Sequence, residues 1–197
     1  MTRGGSGIGF IGYGWKRARH IGLWRLFLGL LLRRHCTKAG ILSVVPGWPL
    51  PRIINLGGQV EIGNCGFFPG VRIECWEGAV LSIGKGTYLN RHVEIVAATS
   101  VTIGKDCKIA RDVLIMDTDQ HPLGAGPLVN KPVEIGDRVW VGSRAIVLKG
   151  VTIGHDSIVG AGAIVTKSVP PFSVVVGPAA KVVRHRRDGT DTTTDQA

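Results

Sequence analysis

In the segment Asp117-Thr118-Asp119-Gln120-His121, two carboxylates and an imidazole fall on alternate residues. A histidine suits the removal of a proton from a hydroxyl group, because its ordinary pKa of about 6.5 lies close to neutral pH. Asp117 and Asp119 could orient that ring or hold a sugar hydroxyl; in a solvated loop they would do neither. The rest of the chain offers few other routes to chemistry. Cys36, Cys65, Cys75 and Cys107 form no CxxC pair, and no two of the six histidines lie within ten residues. Reduced thiols are expected, and no metal: even His92, His121 and His155 lack the spacing of a zinc site. No phosphate-binding glycine loop occurs either.

The histidine needs a scaffold, and the scaffold is written as a repeat. Read in sixes from Ile135, the chain gives IGDRVW, VGSRAI, VLKGVT, IGHDSI, VGAGAI and VTKSVP. Each line opens on Ile or Val. The fifth places are Val139, Ala145, Val151, Ser157, Ala163 and Val169, all small or β-branched. A fifth place lies two residues before the next first place, so in an extended chain both project to one face. The second place is often glycine, which predicts a turn there with positive φ. Three hexads make a coil of 18 residues, the interval from Ile135 to Ile153. Such coils would stack as parallel strands about 4.8 Å apart around an aliphatic interior.

The coil openers Ile62, Ile83, Ile103, Ile135 and Ile153 are separated by 21, 20, 32 and 18 residues. One coil therefore carries about 14 extra residues, placed within 117–132. Long loops in otherwise regular solenoids are usually functional, and this one holds Asp117, Asp119 and His121.

Composition agrees with a strand-rich chain: of 197 residues, 29 are glycine and 41 are isoleucine or valine, while aromatics make up 6%. The net charge of +10 is unevenly placed. Residues 1–52 carry nine Lys or Arg and no acid, whereas residues 53–197 carry 15 basic and 14 acidic residues. The main domain is nearly neutral, which argues against a nucleic-acid partner. Within the basic leader, residues 15–35 have helical periodicity. Ile21, Trp24, Leu28 and Leu31 or Leu32 form an apolar stripe, with Gly22, Arg25, Gly29 and Arg33 opposite. This helix would either cap the solenoid or a neighbouring subunit, or lie on a membrane surface; the apolar run is too short to cross a bilayer. The chain thus divides into a basic extension over 1–52, a solenoid over 53–184 and a polar tail over 185–197 expected to be disordered.

The quoted hexads, with TYLN, HPL, KPVEIGDRVWVGS, VTIG, GAGAIVTKSVPP and GPAAKVVR, resemble the hexapeptide-repeat acyltransferases. The likeness covers about 53–184 and is closest, over 90–184, to the maltose, galactoside and xenobiotic O-acetyltransferase branch. It implies an all-β fold, a left-handed parallel β-helix, assembled as a homotrimer with sites between subunits. It also implies acyl transfer from acetyl-CoA or another acyl-CoA to a hydroxyl of a sugar or a bacterial surface-glycan or glycolipid precursor. The setting would be cytoplasmic, with possible peripheral contact at the inner face of the membrane. N-acylation of an amino-sugar nucleotide and a non-catalytic scaffold subunit are the alternatives.

By the same resemblance, His121 matches the catalytic histidine and the Ser143 backbone N–H an oxyanion donor. Asn90 matches an acceptor contact, or is only a corner residue. Trp140 matches a wall of the acceptor pocket, or packs between subunits. Ala161, Thr166 and Lys167 match the pantetheine slot, and Lys181 and Arg184 the phosphate end. Lysine at 181, where arginine is frequent, gives up bidentate phosphate contact.

Overall fold

Ile62, Ile83, Ile103, Ile135 and Ile153 form one ladder, each paired in parallel with the next. The computed structural model describes residues 22–122 and 126–185. Among these, six coils of three strands build three sheets. The first coil contains β1 (Lys38–Ala39), β2 (Leu42–Val44) and β3 (Arg52–Asn55); the second, β4 (Gln59–Ile62), β5 (Cys65–Phe67) and β6 (Arg72–Cys75). The third contains β7 (Val80–Ile83), β8 (Tyr88–Leu89) and β9 (Glu94–Ala97); the fourth, β10 (Ser100–Ile103), β11 (Lys108–Ile109) and β12 (Leu114–Met116). The fifth contains β13 (Val133–Ile135), β14 (Trp140–Val141) and β15 (Ile146–Val147); the sixth, β16 (Thr152–Ile153), β17 (Ile158–Val159) and β18 (Ile164–Val165). First-place strands of every coil share sheet A, second-place strands sheet B, and third-place strands sheet C. β19 (Ser173–Val176) and β20 (Lys181–His185) then extend sheet B, β20 running antiparallel to β19.

The interior follows the hexad rule. Coil openers and the small fifth-place residues are buried, including Ser157. Ser157 is tolerated because its hydroxyl donates to the Pro170 carbonyl at 3.0 Å and accepts from the Ser173 N–H at 3.2 Å. Each fully buried isoleucine contributes about 1.5–3 kcal/mol, so the rungs hold the coils together.

The glycine expectation needs correction. Second-place Gly84, Gly104, Gly136 and Gly154 are not among the positive-φ residues; the left-handed turn falls two places later, at Gly86, Asp106, Arg138 and Asp156. The second place must instead lack a side chain because coils approach there. A Cβ on Gly136 would stand 2.6 Å from the His155 nitrogen of the next coil.

The solenoid also starts earlier than the boundary at residue 53. Ala39 pairs with Ile62 and Leu42 with Cys65, so β1 and β2 lie inside the span assigned to the extension. Extra residues between β2 and β3 raise the spacing to 23 residues in this coil, which hides the frame. Ahead of them, helix α1 (Gly22–Arg33) crosses the open end. Residues 15–21 of the expected helix lie outside the described residues, as do residues 186–197 of the expected tail. His185 ends strand β20 instead, with its partner at Ser173.

The helix packs on part of each face expected from the sequence: Leu28 and Leu32 of the apolar stripe are inside, with Arg25 and Gly29 of the opposite one. Arg25, Leu28 and Leu32 are buried, and Gly29 lies against the Leu42 carbonyl, where a Cβ would not fit. Arg25 donates through Nε to the Val44 carbonyl at 3.2 Å. Glycine allows the close approach, and the buried arginine meets an edge carbonyl that has no strand beyond it. The packed stripe is therefore Arg25, Leu28, Gly29 and Leu32, while Trp24 and Leu31 point outward with Leu23, Phe27 and Leu30.

Candidate functional site

Where β12 ends, the chain leaves the coil frame and returns at β13. The base of this loop is closed by the Lys131 N–H donating to the Asp117 carbonyl at 2.8 Å and by a bridge between Thr118 and Asn130. The expected insertion within 117–132 is thus the observed one. Asp117 opens it, and its role differs from the expected one. The side chain is fully buried, and its two oxygens accept from the N–H groups of Ala98, Thr99 and Ser100 at 2.6–2.7 Å. These donors belong to the turn between sheets C and A one coil below, where departure of the loop removes the next coil's backbone. The carboxylate replaces those acceptors. It is not free to orient an imidazole or bind a sugar.

Asp119 does have a surface-directed task. Its Oδ2 accepts from Lys149 Nζ, and both side chains are about a quarter exposed. Lys149 follows β15 at the same corner of the fifth coil. Sequence reasoning passed over Lys149, although the signal was present: the 32-residue interval of this coil places Lys149 directly over Asp117. Two residues beyond Asp119 stands His121, exposed, after Gln120 in a left-handed conformation at φ 62° whose N–H bonds to the Thr118 hydroxyl at 3.0 Å. This turn carries the imidazole outward from the solenoid. Two coils above the departure of this loop, at the same corner, Thr166 and Lys167 follow β18 and are exposed. The corner between sheets C and A therefore gathers Asp119, His121, Lys149, Thr166 and Lys167.

The other predicted residues sit at a different corner. Asn90 follows β8, Ser143 follows β14 and Ala161 follows β17, all between sheets B and C. Backbone bonds chain this corner together: the Asn90 N–H donates to the Ile109 carbonyl at 2.9 Å, and the Gly162 N–H to the Ser143 carbonyl at 2.8 Å. The Asn90 side chain accepts from the Arg91 N–H at 2.7 Å, leaving its amide NH₂ as donor. The Ser143 N–H has no acceptor among the described residues, and neither do those of Arg111 and Ala161 in the same column. A free main-chain donor is a property of this corner, and the serine side chain adds nothing to it. Trp140 stands half-exposed on sheet B, and Lys181 and Arg184 lie on β20 of that sheet. Lys167 and Lys181 are exposed cations, a donor set suited to phosphates.

Within one chain these two groups do not meet. Sheet C lies between their corners, a hexad of roughly 15–20 Å. The cysteines take no part: Cys65, Cys75 and Cys107 are buried, and burial pushes the Cys65 thiol up to about 12, far from a reactive thiolate. Among the described residues no three His, Cys, Asp or Glu side chains cluster to hold a metal ion.

Residues 132–167 match the family model described as the hexapeptide repeat of succinyl-transferase. The chain is 39% identical over 116 residues to the galactoside O-acetyltransferase of Escherichia coli K12, a match covering 56% of this chain and 57% of that protein. It therefore spans under two thirds of that relative's length. It is 32% identical over 148 residues to the putative lipopolysaccharide biosynthesis O-acetyl transferase of the same organism, covering 68% of this chain and 76% of that protein. A solved galactoside acetyltransferase in complex with coenzyme A superposes with a TM-score of 0.58 at 26% identity, over 89% of this chain and 84% of that one.

Proposed function

Since the chain belongs to the hexapeptide-repeat acetyltransferases, we propose that it transfers an acetyl group from coenzyme A to a hydroxyl of a sugar in a glycan precursor. The observation that carries this is the departure of the His121 loop at the corner where Thr166 and Lys167 follow two coils on. A base and a slot for a phosphorylated carrier then occupy one edge. In this reading His121 takes the proton from the acceptor hydroxyl as its oxygen attacks the thioester carbonyl. The Ser143 N–H donates to the carbonyl oxygen as it gains charge. The imidazolium returns the proton to the departing thiolate as the C–S bond breaks, so the residue ends as it began. Asn90, Asp119 and Trp140 face the acceptor. Ala161, Thr166 and Lys167 line the pantetheine arm, and Lys181 and Arg184 meet its phosphates.

Separation of the two corners supports a homotrimer. A cyclic, heterologous interface sets one face of a subunit against a different face of the next, which would bring His121 of one chain to Asn90 and Ser143 of another. Use of acetyl-CoA supports a cytoplasmic setting, and the outward apolar face of α1 with the basic leader supports peripheral contact with the inner membrane surface.

The test is the His121→Ala variant with acetyl-CoA and a galactoside, followed as free thiol. Turnover is expected to fall by about 10²–10⁴, the usual share of a positioned general base, with coenzyme A affinity nearly unchanged. Retention of more than half of wild-type turnover, where chemistry limits the rate, removes His121 from this role. The same assay with an amino-sugar nucleotide separates N-acylation.

A further inference from the structure

Helix α1 is apolar on the side away from the protein. Leu28 and Leu32 join the solenoid core, whereas Leu23 is 85% exposed and Trp24, Leu26, Phe27, Leu30 and Leu31 are also exposed. Trp48, also 85% exposed, and Ile41 stand at the same end. Helices apolar all round are ordinarily buried on both sides, so this face calls for a partner. Charge selects among partners. Arg33, Arg34, Lys38 and Arg52 are exposed around the helix, and residues 1–52 contain no acid. A second copy meeting this end would oppose Arg33, Arg34, Lys38 and Arg52 with the same four cations, which disfavours that association. An anionic lipid surface complements both the charge and the apolar face. Among the described residues no helix is long and apolar enough to cross a membrane, so the contact is superficial.

We infer that this end docks on an anionic bilayer and that the coil stack holds the transfer site at a fixed height above it. The acceptor is then a lipid-linked saccharide modified several sugars away from its lipid. This substrate class rests on the acetyl-transfer reading given above. The height follows from the ladder. α1 covers the first coil, the His121 loop leaves the fourth, and Asp119 ties it to Lys149 of the fifth. At about 4.8 Å per coil the site stands roughly 15–20 Å above the first coil. A sugar joined directly to the lipid headgroup stays below this level, while one further along the glycan reaches it.

The test uses the full chain and vesicles of phosphatidylglycerol with brominated acyl chains, which quench tryptophan at the bilayer. Two variants keep one tryptophan each, Trp24 or Trp140, with the other tryptophans replaced by phenylalanine. Quenching of Trp24 with Trp140 unchanged is expected. Unquenched Trp24 overturns docking and means that another copy or the chain's own first residues cover the helix; equal quenching of both overturns the upright orientation. The triple substitution Leu23→Ser, Phe27→Ser and Leu30→Ser should abolish flotation with the vesicles and leave turnover on soluble galactoside unchanged. Galactosides anchored in the vesicles through spacers then read the height. Spacers spanning about 15 Å or more should raise turnover at least tenfold over short ones, and equal rates on both overturn the fixed height. Silence on soluble and anchored galactosides alike, with Trp24 still quenched, instead overturns the acetyl-transfer reading.

Discussion

The base proposed at His121 works only if its loop is held, and Lys149 is the side chain that holds the loop. Its ammonium meets Asp119 with both groups partly withdrawn from water, while Asp117 is occupied below with three backbone N–H groups. Removing the cation frees the segment between the Thr118 bridge and His121 without opening a cavity in the core. Lys149→Met should therefore change unfolding free energy by no more than about 1 kcal/mol, as for other partly exposed pairs. Turnover should fall by about tenfold, equivalent to about 1.4 kcal/mol in the barrier. Lys149→Arg should recover most of it. Steady-state kinetics beside urea denaturation checks this; a large loss of stability, or full turnover in the methionine variant, refutes a positioning role. The place of His121 on an ejected loop was legible because the coil intervals locate the insertion. Asp117 was misread because a carboxylate beside a catalytic candidate has two competing uses. Choosing between them requires knowing that the turn at Ala98–Ser100 loses its backbone acceptors when the loop departs.

At the scale of the elements, coils are fastened at their corners as well as through the core. Between the fifth and sixth coils, Arg138 grips Asp156 with two bonds, Nε to Oδ1 at 2.8 Å and Nη2 to Oδ2 at 2.6 Å. His155 Nδ1 lies 2.8 Å from Oδ2 as well. The guanidinium beside Asp156 holds its carboxyl down at about 2, below the ordinary 3.8. A carboxylate whose folded pKa is lowered stabilises the fold above its unfolded pKa and loses that contribution as pH falls through the folded value. The fastening is thus fully present above about pH 5 and fades between pH 4 and 2. Arg138→Ala should return the Asp156 pKa toward 4 and remove this part of the acid sensitivity. Carboxyl titration by NMR together with acid unfolding measures both, and an unchanged Asp156 pKa in the variant refutes the assignment. Both residues of the pair lie in left-handed turns, which the hexad frame assigned to the wrong place. Periodicity reveals which residues point inward. It does not reveal whether a glycine is needed for its φ or for clearance from the next coil. The same gap explains the turned helix: Leu28 and Leu32 pack inward as an apolar stripe suggests, but Gly29 and Arg25 join them for clearance and for the Val44 carbonyl.

At the scale of the whole molecule, the solenoid positions every proposed residue accurately along its axis and still separates them around it. His121 belongs to the edge between sheets C and A, and Asn90 and Ser143 to the edge between sheets B and C. The intervals between coil openers made the axial order legible, since each interval became a register pair. Lateral completion was not legible, because a hexad specifies an interior and says little about which outer faces meet. If a cyclic trimer completes the site, two different inactive chains should repair one another. His121→Ala and Asn90→Ala homotrimers should each be nearly silent. Unfolded together, mixed in equal amounts and refolded, they produce interfaces in which a chain with intact His121 faces a chain with intact Asn90. Random assembly gives about a quarter of all interfaces this composition, so the mixture should recover about a quarter of wild-type turnover. The same proteins mixed without unfolding should stay silent as long as trimers do not exchange. Recovery fails if both residues serve within one chain, because no mixture then contains a complete set. Sedimentation of the refolded mixture at trimer mass separates that outcome from failed assembly, so activity and mass together decide how the corners meet around the axis.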